Sequence, residues 1–392
     1  MTDHPPTSQP DPAHAESLIQ DTETLARVVA RCREFQAVAV DTEFVWTSTF
    51  YPRLGLIQLA VSPEEAWLVD GVELADLSAL GPLLTDDRVA KVFHDPEMDL
   101  PILVRSVGCQ PTNVFDTRLT AGFAGFPGTL SLARLIEEFF GIDLPKTQTR
   151  TDWCRRPLTP HQLAYALDDV RYMPKLRELL LDRVREHGNE AWLMEEMARY
   201  DRPEQIALPD PDEMFRSVKG MGKLPPAQLV VLQKIVGWRE RAARRLDLPR
   251  RRVLSDEACI ALAQKQPQDA EAVARMKCVA RRTASDCAAE VAAAIVEGLA
   301  VPKSDWPRFR GCPLPQKELK AHADAILTAV REAAENRAID PAMVTSRKDV
   351  NNLVLDQARG KADAAHGLRQ GWRAELLGDT LDPLLEAVPV RR

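Results

Sequence analysis

The sequence predicts a mixed α/β sheet domain followed by an all-helical region, on three observations. Between residues 37 and 116 there are five short apolar or β-branched runs, the first three at hairpin-like spacing and the last two alternating with helical segments, as expected of a mixed sheet. From Thr129 onward helical periodicity dominates and no further convincing strand appears. Charge also changes sign along the chain: residues 1–214 carry 20 basic and 36 acidic groups, residues 215–282 carry 16 and 6, and residues 283–392 carry 15 and 16. An acidic segment beside a basic one reads either as a metal-dependent catalytic unit next to a polyanion-binding unit, or as two solvated surfaces of unlike sign.

The 392 residues allow two or three domains, and 45% hydrophobic with 28% charged residues excludes wholesale disorder and collagen-like repetition. Residues 1–20 open with four prolines in twelve positions and no apolar stretch, so they read as a disordered tail rather than a signal peptide. TETLARVVARCREF has helical spacing and leads into QAVAVDTEF, a buried strand that ends in acids. YPRLGLIQLAVS and EEAWLVDG complete a meander. A helix over LADLSALGPLLTDDR precedes a fourth strand, VAKVFHD; Pro96 then opens a helix, and TNVFDTRLTAGFAG is a short strand passing into another. Three prolines between residues 200 and 213 mark a linker, and three more in KSDWPRFRGCPLPQ, 303–316, mark a weaker boundary. The expected domains are therefore 21–205 for the sheet, 206–299 for a first helical unit and 300–392 for a second. The seven cysteines are odd in number, scattered and without a C-x-x-C pair, which speaks against a disulfide framework or a zinc ribbon. With no run approaching 18 apolar residues, the expected location is cytoplasmic.

Acidic residues recur at the ends of these elements. Asp41 and Glu43, in D-T-E, share one face of the first strand because side chains alternate with period two. Asp99 falls in the first turns of the helix that Pro96 begins, where the macrodipole alone favours an acid. Tyr165 and Asp169, four apart in YALDDVRY, lie on one helical face, with Asp168 rotated about 100° away. Each motif alone has an ordinary structural explanation: a solvated loop start, a helix N-terminus, a packed tyrosine with solvated acids. Together, four carboxylates at strand and helix ends of one α/β unit are what two divalent cations about 4 Å apart require.

The motifs DTEF at 41–44, HDPEMDL at 94–100 and YALDDVRY at 165–172 closely resemble, in order and spacing, the three exonuclease motifs of the DEDD superfamily in its tyrosine-containing branch. The connecting text, including NVFDTRLTAGFAG and LPKTQTRTDWCRRPLTPHQLAYALDDV, is similar to bacterial ribonuclease D from residue 23 to about 205. KGMGKLPPAQLVVLQKIVGWRERAARRLDLP resembles the HRDC helical module, and the remaining length suits a second, more divergent one. The resemblance implies an α/β ribonuclease H-like mixed-sheet exonuclease domain followed by all-α HRDC helical domains. It implies two divalent metal ions, Mg²⁺ or Mn²⁺, held by Asp41, Glu43, Asp99 and Asp169, with Tyr165 orienting the attacking water. It further implies a monomeric 3′–5′ exoribonuclease acting on RNA, in particular tRNA precursors and 3′ single-stranded ends, and no membrane partner. Two positions depart from the family pattern. Asp95-Pro96 stands where a small pair such as Ala-Gly is usual, and Asp168 adds an acid beside the usual one.

Other residues remain open at this point. His94 is either a substrate contact or a hydrogen-bonded structural residue. Lys146, Arg150, Arg155 and Arg156 either steer the 3′ phosphates or decorate a solvated loop. Arg239, Arg241, Arg244, Arg245, Arg250, Arg251 and Arg252 crowd into fourteen positions beside Trp238, which is either a nucleic-acid face or ordinary helix solvation. The competing functions are a DNA 3′–5′ exonuclease and a non-catalytic nucleic-acid-binding scaffold. Retention of four acids and Tyr165 speaks against the scaffold.

Overall fold

A computed structural model of the chain describes residues 17–144, 151–280, 286–307, 312–361 and 365–391. They fall into two compact units, one made of the described residues within Met1–Phe44, Leu54–Ile206 and Cys312–Arg392, the other of those within Val45–Arg53 and Ala207–Gly311.

The first unit is built on a six-stranded sheet, β1 (Leu18–Ile19), β2 (Ala37–Val45), β3 (Arg53–Ala60), β4 (Ala66–Asp70), β5 (Ala90–Phe93) and β6 (Val114–Asp116), in the order β1-β4-β3-β2-β5-β6. β3 and β4 form the expected antiparallel pair, while β2, β5 and β6 run parallel. Leu18 and Ile19, assigned on composition to the N-terminal tail, instead pair with Leu68 and Val69 of β4, so ordered structure begins before the predicted boundary. β2 is central, and its Val38, Ala39 and Val40 are fully buried, as an apolar run covered on both faces must be. The register Ala39↔Val92 leaves Asp41 just beyond the end of β5 at Phe93. That is the carboxyl end of a parallel strand pair, where α/β sheets leave room for ligands.

Local chemistry fixes the helices that matter for the site. The helix Thr22–Cys32 starts at Asp21, whose carboxylate accepts the Thr24 amide, and buries Leu25, Val28, Val29 and Cys32 along one stripe. The helix Pro160–Arg171 begins with a capping box in which Thr159 and Gln162 satisfy each other's amides, and with Pro160 in its first turn.

The helices Gln316–Glu335, Arg347–Ala358 and Gly371–Leu377 were read as part of a separate helical unit, but they bury Ile326, Val330, Val354 and Trp372 in the same core as the sheet. Trp372 is fully buried, packs edge-on to Phe123 at 5.0 Å and donates Nε1 to Glu196 at 2.9 Å. Helical periodicity shows that a face is buried and leaves open which element covers it.

The second unit packs around the helix Pro226–Leu246. Gly298, on the helix Ala288–Ala300, lies so near it that a Cβ there would come within 2.8 Å of Val231 Cα. Phe50 belongs to this unit's core, with the Arg250 guanidinium 4.8 Å from its ring. Asp247, in a left-handed conformation (φ +48°) at the end of the long helix, accepts the Phe50 and Tyr51 amides at 3.1 and 3.0 Å. The segment between β2 and β3 thus belongs to the helical unit, although the sequence reading kept all of 21–205 together. Among the described residues no helix is long and apolar enough to cross a membrane.

Ending the chain at residue 311 would uncover Phe123 and leave buried Glu196 without Trp372 and Arg373. Glu196 keeps Arg199 at 3.0 Å, so the loss is the apolar cover and two hydrogen bonds to a charged group. At about 1.5–3 kcal/mol for each of these, the truncated chain is expected to melt several degrees lower or not to fold. Thermal unfolding followed by circular dichroism checks this, and an unchanged midpoint would contradict the shared core.

Candidate active site

The predicted acids arrive at the carboxyl end of β2 from three elements. Asp41 and Glu43 project from β2 itself, and Asp169 comes from the helix Pro160–Arg171. One carboxylate oxygen from each lies within 4.8 Å of the others. Gln58 of β3 places its Nε2 3.5 Å from Asp41 Oδ2. Asp99 opens the helix Asp99–Val107 and is buried; its Oδ1 accepts the Thr42 hydroxyl. It stands beside the three-residue cluster rather than within it. The charge of Asp99 is nevertheless felt at both Asp41 and Glu43.

Burial and mutual repulsion define the electrostatics. Desolvation, then the charges of Asp99, Asp169 and Glu43, hold Asp41 well above the usual carboxylate range. Burial, reinforced by Asp169 and Asp99, pushes Glu43 up to about 9. Asp169 rises to about 7, mainly through burial and partly offset by a hydrogen bond from Tyr165; Asp99 rises to about 6, again through burial and offset by Thr42. Burial and the carboxylates around it also raise the Tyr165 phenol far above its ordinary value, so it is no proton acceptor at neutral pH. Among the described residues none of the four acids forms an ion pair. Among the described residues the site offers oxygen donors only and no compensating positive charge, which is the donor set of a hard divalent cation. The residues present therefore fit such an ion.

The remaining candidates sort by their partners. Asp168 pairs with Arg171 at 3.3 Å, which leaves Asp169 as the acid turned to the cluster. Thr117 gives its hydroxyl proton to Phe93 O, so His94 Nδ1, 3.0 Å from Thr117 Oγ1, is the donor in that contact. Burial lowers the pKa of this ring, which makes it a neutral structural residue. Arg156 clamps the fully buried Asp70 and donates to Gly55 O at 2.9 Å, so it stabilises the fold and is not available to phosphate. Arg155 is exposed, and Lys146 and Arg150 lie outside the described residues.

The arginine run is mostly neutralised within the helical unit. Arg239 pairs with Asp256, Arg241 with Asp212, Arg244 and Arg250 with Glu240, and Arg245 with Glu290. Arg251 and Arg252 are exposed and form no ion pair among the described residues. Sequence reasoning missed Thr42, Asp116 and Arg118. Strand alternation sets Thr42 on the face opposite Asp41 and Glu43, so the D-T-E spacing carries no signal for it. Asp116 was readable as a helix cap from the F-D-T spacing, and its carboxylate does accept the Arg118 amide.

Comparison with known proteins agrees with this geometry. A 3′–5′ exonuclease domain family matches residues 17–185, and the HRDC domain family matches residues 228–295. The chain is 35% identical to ribonuclease D of Desulfotalea psychrophila over 93% of its length and 97% of that protein's. It is 34% identical to ribonuclease D of Pseudomonas paraeruginosa over 94% of this chain and 97% of the other. The crystal structure of Escherichia coli RNase D, described as an exoribonuclease involved in structured RNA processing, superposes with a TM-score of 0.84 at 28% identity, over 95% of this chain and 99% of that one.

The raised carboxyl pKa values set a sign for stability. Glu43 titrates near 9 in the folded chain against an ordinary 4.5, so between those values the folded state holds more protons than the unfolded one. Metal-free protein is therefore expected to lose stability as pH rises from about 5 to 9, and Mg²⁺ to restore more of it at the upper end. Asp41→Asn should raise the metal-free melting temperature at pH 8 and shrink the Mg²⁺-induced gain. Differential scanning fluorimetry across pH measures both, and a flat metal-free profile would contradict the assignment.

Proposed function

The chain belongs to the ribonuclease D family, and on that premise we propose that this 3′–5′ exoribonuclease trims tRNA precursors and other structured RNAs by two-metal-ion hydrolysis. The products would be 5′-nucleoside monophosphates. The observation that carries the reading is the approach of Asp41, Glu43 and Asp169 to within 4.8 Å, with no cationic partner among the described residues. Asp41, at the centre of the repulsion, would hold two divalent ions, Mg²⁺ or Mn²⁺, together with Glu43, Asp99 and Asp169. When bound, such ions lower the pKa of the attacking water and neutralise charge on the leaving 3′ oxygen.

The chain's own groups do the rest. Thr42 fixes the Asp99 carboxylate by hydrogen bond, so one donor is set before substrate arrives. Tyr165 stays protonated beside Asp169 and packs next to Trp153 at 6.1 Å between ring centres. A phenol so placed orients a water through its oxygen and does not remove the proton. Asp41 and Glu43 sit at the end of a buried central strand, whose rigidity fixes the in-line geometry.

In the helical unit, Arg251 and Arg252 are the cations we assign to RNA phosphates, in place of the whole arginine run. Residues 206–299 are read as the HRDC module, and the helices from Cys312 onward as part of the catalytic unit. We place the enzyme in the cytoplasm as a monomer, consistent with its free cysteines.

Asp169→Asn is expected to abolish hydrolysis while leaving single-strand binding intact, and Tyr165→Phe to slow turnover by orders of magnitude without changing metal stoichiometry. Digestion ladders on a 3′-extended tRNA and an equal-length single-stranded DNA, titrated with Mg²⁺ and Mn²⁺, test this. Turnover within about tenfold of wild type for Asp169→Asn, or equal digestion of the DNA, would overturn the reading. Reversing Arg251 and Arg252 to Glu should weaken RNA affinity and flatten its salt dependence by about one unit of slope per lost phosphate contact, with kcat unchanged. An unchanged salt slope would remove them from the interface.

A further inference from the structure

The turn between β5 and the helix Asp99–Val107 aims Asp99, and groups without a role in the chemistry hold it. Asp95, in that turn, has φ +63°, a left-handed conformation that aspartate tolerates but that persists only when its surroundings enforce it. Asp116, 3% exposed, supplies much of that constraint. Its Oδ1 accepts the amides of Asp95 and Arg118, both at 2.9 Å, and its Oδ2 accepts the Tyr200 hydroxyl at 2.7 Å. Arg118 adds an ion pair to the Asp95 carboxylate and donates Nε to Gly128 O at 2.7 Å.

These groups are gripped in turn by the C-terminal helical segment of the same compact unit. The Gly128 amide donates to Asp340 Oδ2 at 2.5 Å, and the Asp340 amide donates to Gly122 O at 2.8 Å. Met343 sits so close to both glycines that a Cβ would meet its side chain at 2.4 Å at Gly122 and 2.3 Å at Gly128. A second route begins at Arg373, which donates to Glu196 at 2.6 Å; Arg199 then joins Glu196 at 3.0 Å and the Tyr200 hydroxyl at 2.9 Å. Tyr200 leads back to Asp116. The two routes converge on the residues just before Asp99.

We infer that Asp116, Arg118 and Asp95 are positioning residues for Asp99, and that the C-terminal segment, seated on Gly122 and Gly128, sets the geometry of the nuclease centre. The inference rests on the reading of Asp99 as a metal ligand. It also gives Asp95 a purpose: its carboxylate ties the turn to Arg118. Contiguity alone does not establish coupling, so the test is a double-mutant cycle.

In the full-length enzyme at saturating RNA, Asp340→Ala and Asp95→Ala are each expected to lower kcat by about 10- to 100-fold, as loss of groups that orient metal ligands does. Each should also raise the Mg²⁺ concentration for half-maximal rate, weaken Mn²⁺ binding to the RNA-free protein in isothermal titration calorimetry by at least about fivefold, leave KM for RNA unchanged, and combine so that the double variant is no worse than the poorer single. Arg118→Lys should recover part of what Arg118→Met loses. A merely destabilising change would lower the active fraction without moving the Mg²⁺ midpoint. Effects on kcat and Mg²⁺ midpoint within about twofold, or effects that multiply in the double variant, would overturn the inference. Asp99→Asn run in parallel separates the two readings. Retained turnover there sinks the ligand assignment, whereas a dead Asp99→Asn beside unaffected Asp95 and Asp340 variants sinks the positioning role alone.

Discussion

Repulsion among carboxylates at the end of one buried strand governs how this nuclease is put together. With oxygens of Asp41, Glu43 and Asp169 within 4.8 Å, each charged pair costs on the order of 3 kcal/mol at an effective dielectric of about 20. Desolvation adds to that, which is why the acids hold protons far above their usual range. Such an arrangement survives only because the surrounding fold is rigid enough to enforce it: fully buried Val38, Ala39 and Val40 anchor β2, and a capping box starts the helix bearing Asp169. The fold carries a local instability that divalent ions held by these oxygens would relieve, a familiar form of exchange between stability and activity.

The same constraint explains why supporting residues are so heavily bonded. Thr42 satisfies Asp99, Gln58 approaches Asp41, and Asp116 accepts three hydrogen bonds behind the turn that leads into Asp99. A ligand set assembled from mutually repelling groups has to be held from outside, and the network from Asp95 through Arg118 to Asp340 extends that hold into the C-terminal helices. Those helices bury their apolar faces against the catalytic unit, so they are structural members of it as well as part of the chain's helical half.

Much of this was legible in the chain. Period-two alternation placed Asp41 and Glu43 together, and the four-residue spacing put Tyr165 and Asp169 on one face; both placements hold. Spacing turned Asp168 about 100° from that face but could not show what it pairs with, which is Arg171. It could not weigh the arginine run either, since counting cations does not count their partners. Five of the seven named arginines are consumed by Asp256, Asp212, Glu240 and Glu290. Nor could periodicity reveal that Phe50 belongs to the helical unit's core or that Trp372 belongs to the sheet domain's, because an apolar face carries no label for what will cover it.

The most direct test is crystallographic. Crystals of the full chain soaked in Mn²⁺ and measured at the manganese absorption edge should show two anomalous peaks about 4 Å apart, both within coordination distance of carboxylate oxygens from Asp41, Glu43, Asp99 or Asp169. Crystals that take up no manganese there at millimolar concentration, or that bind it only elsewhere, would contradict the account.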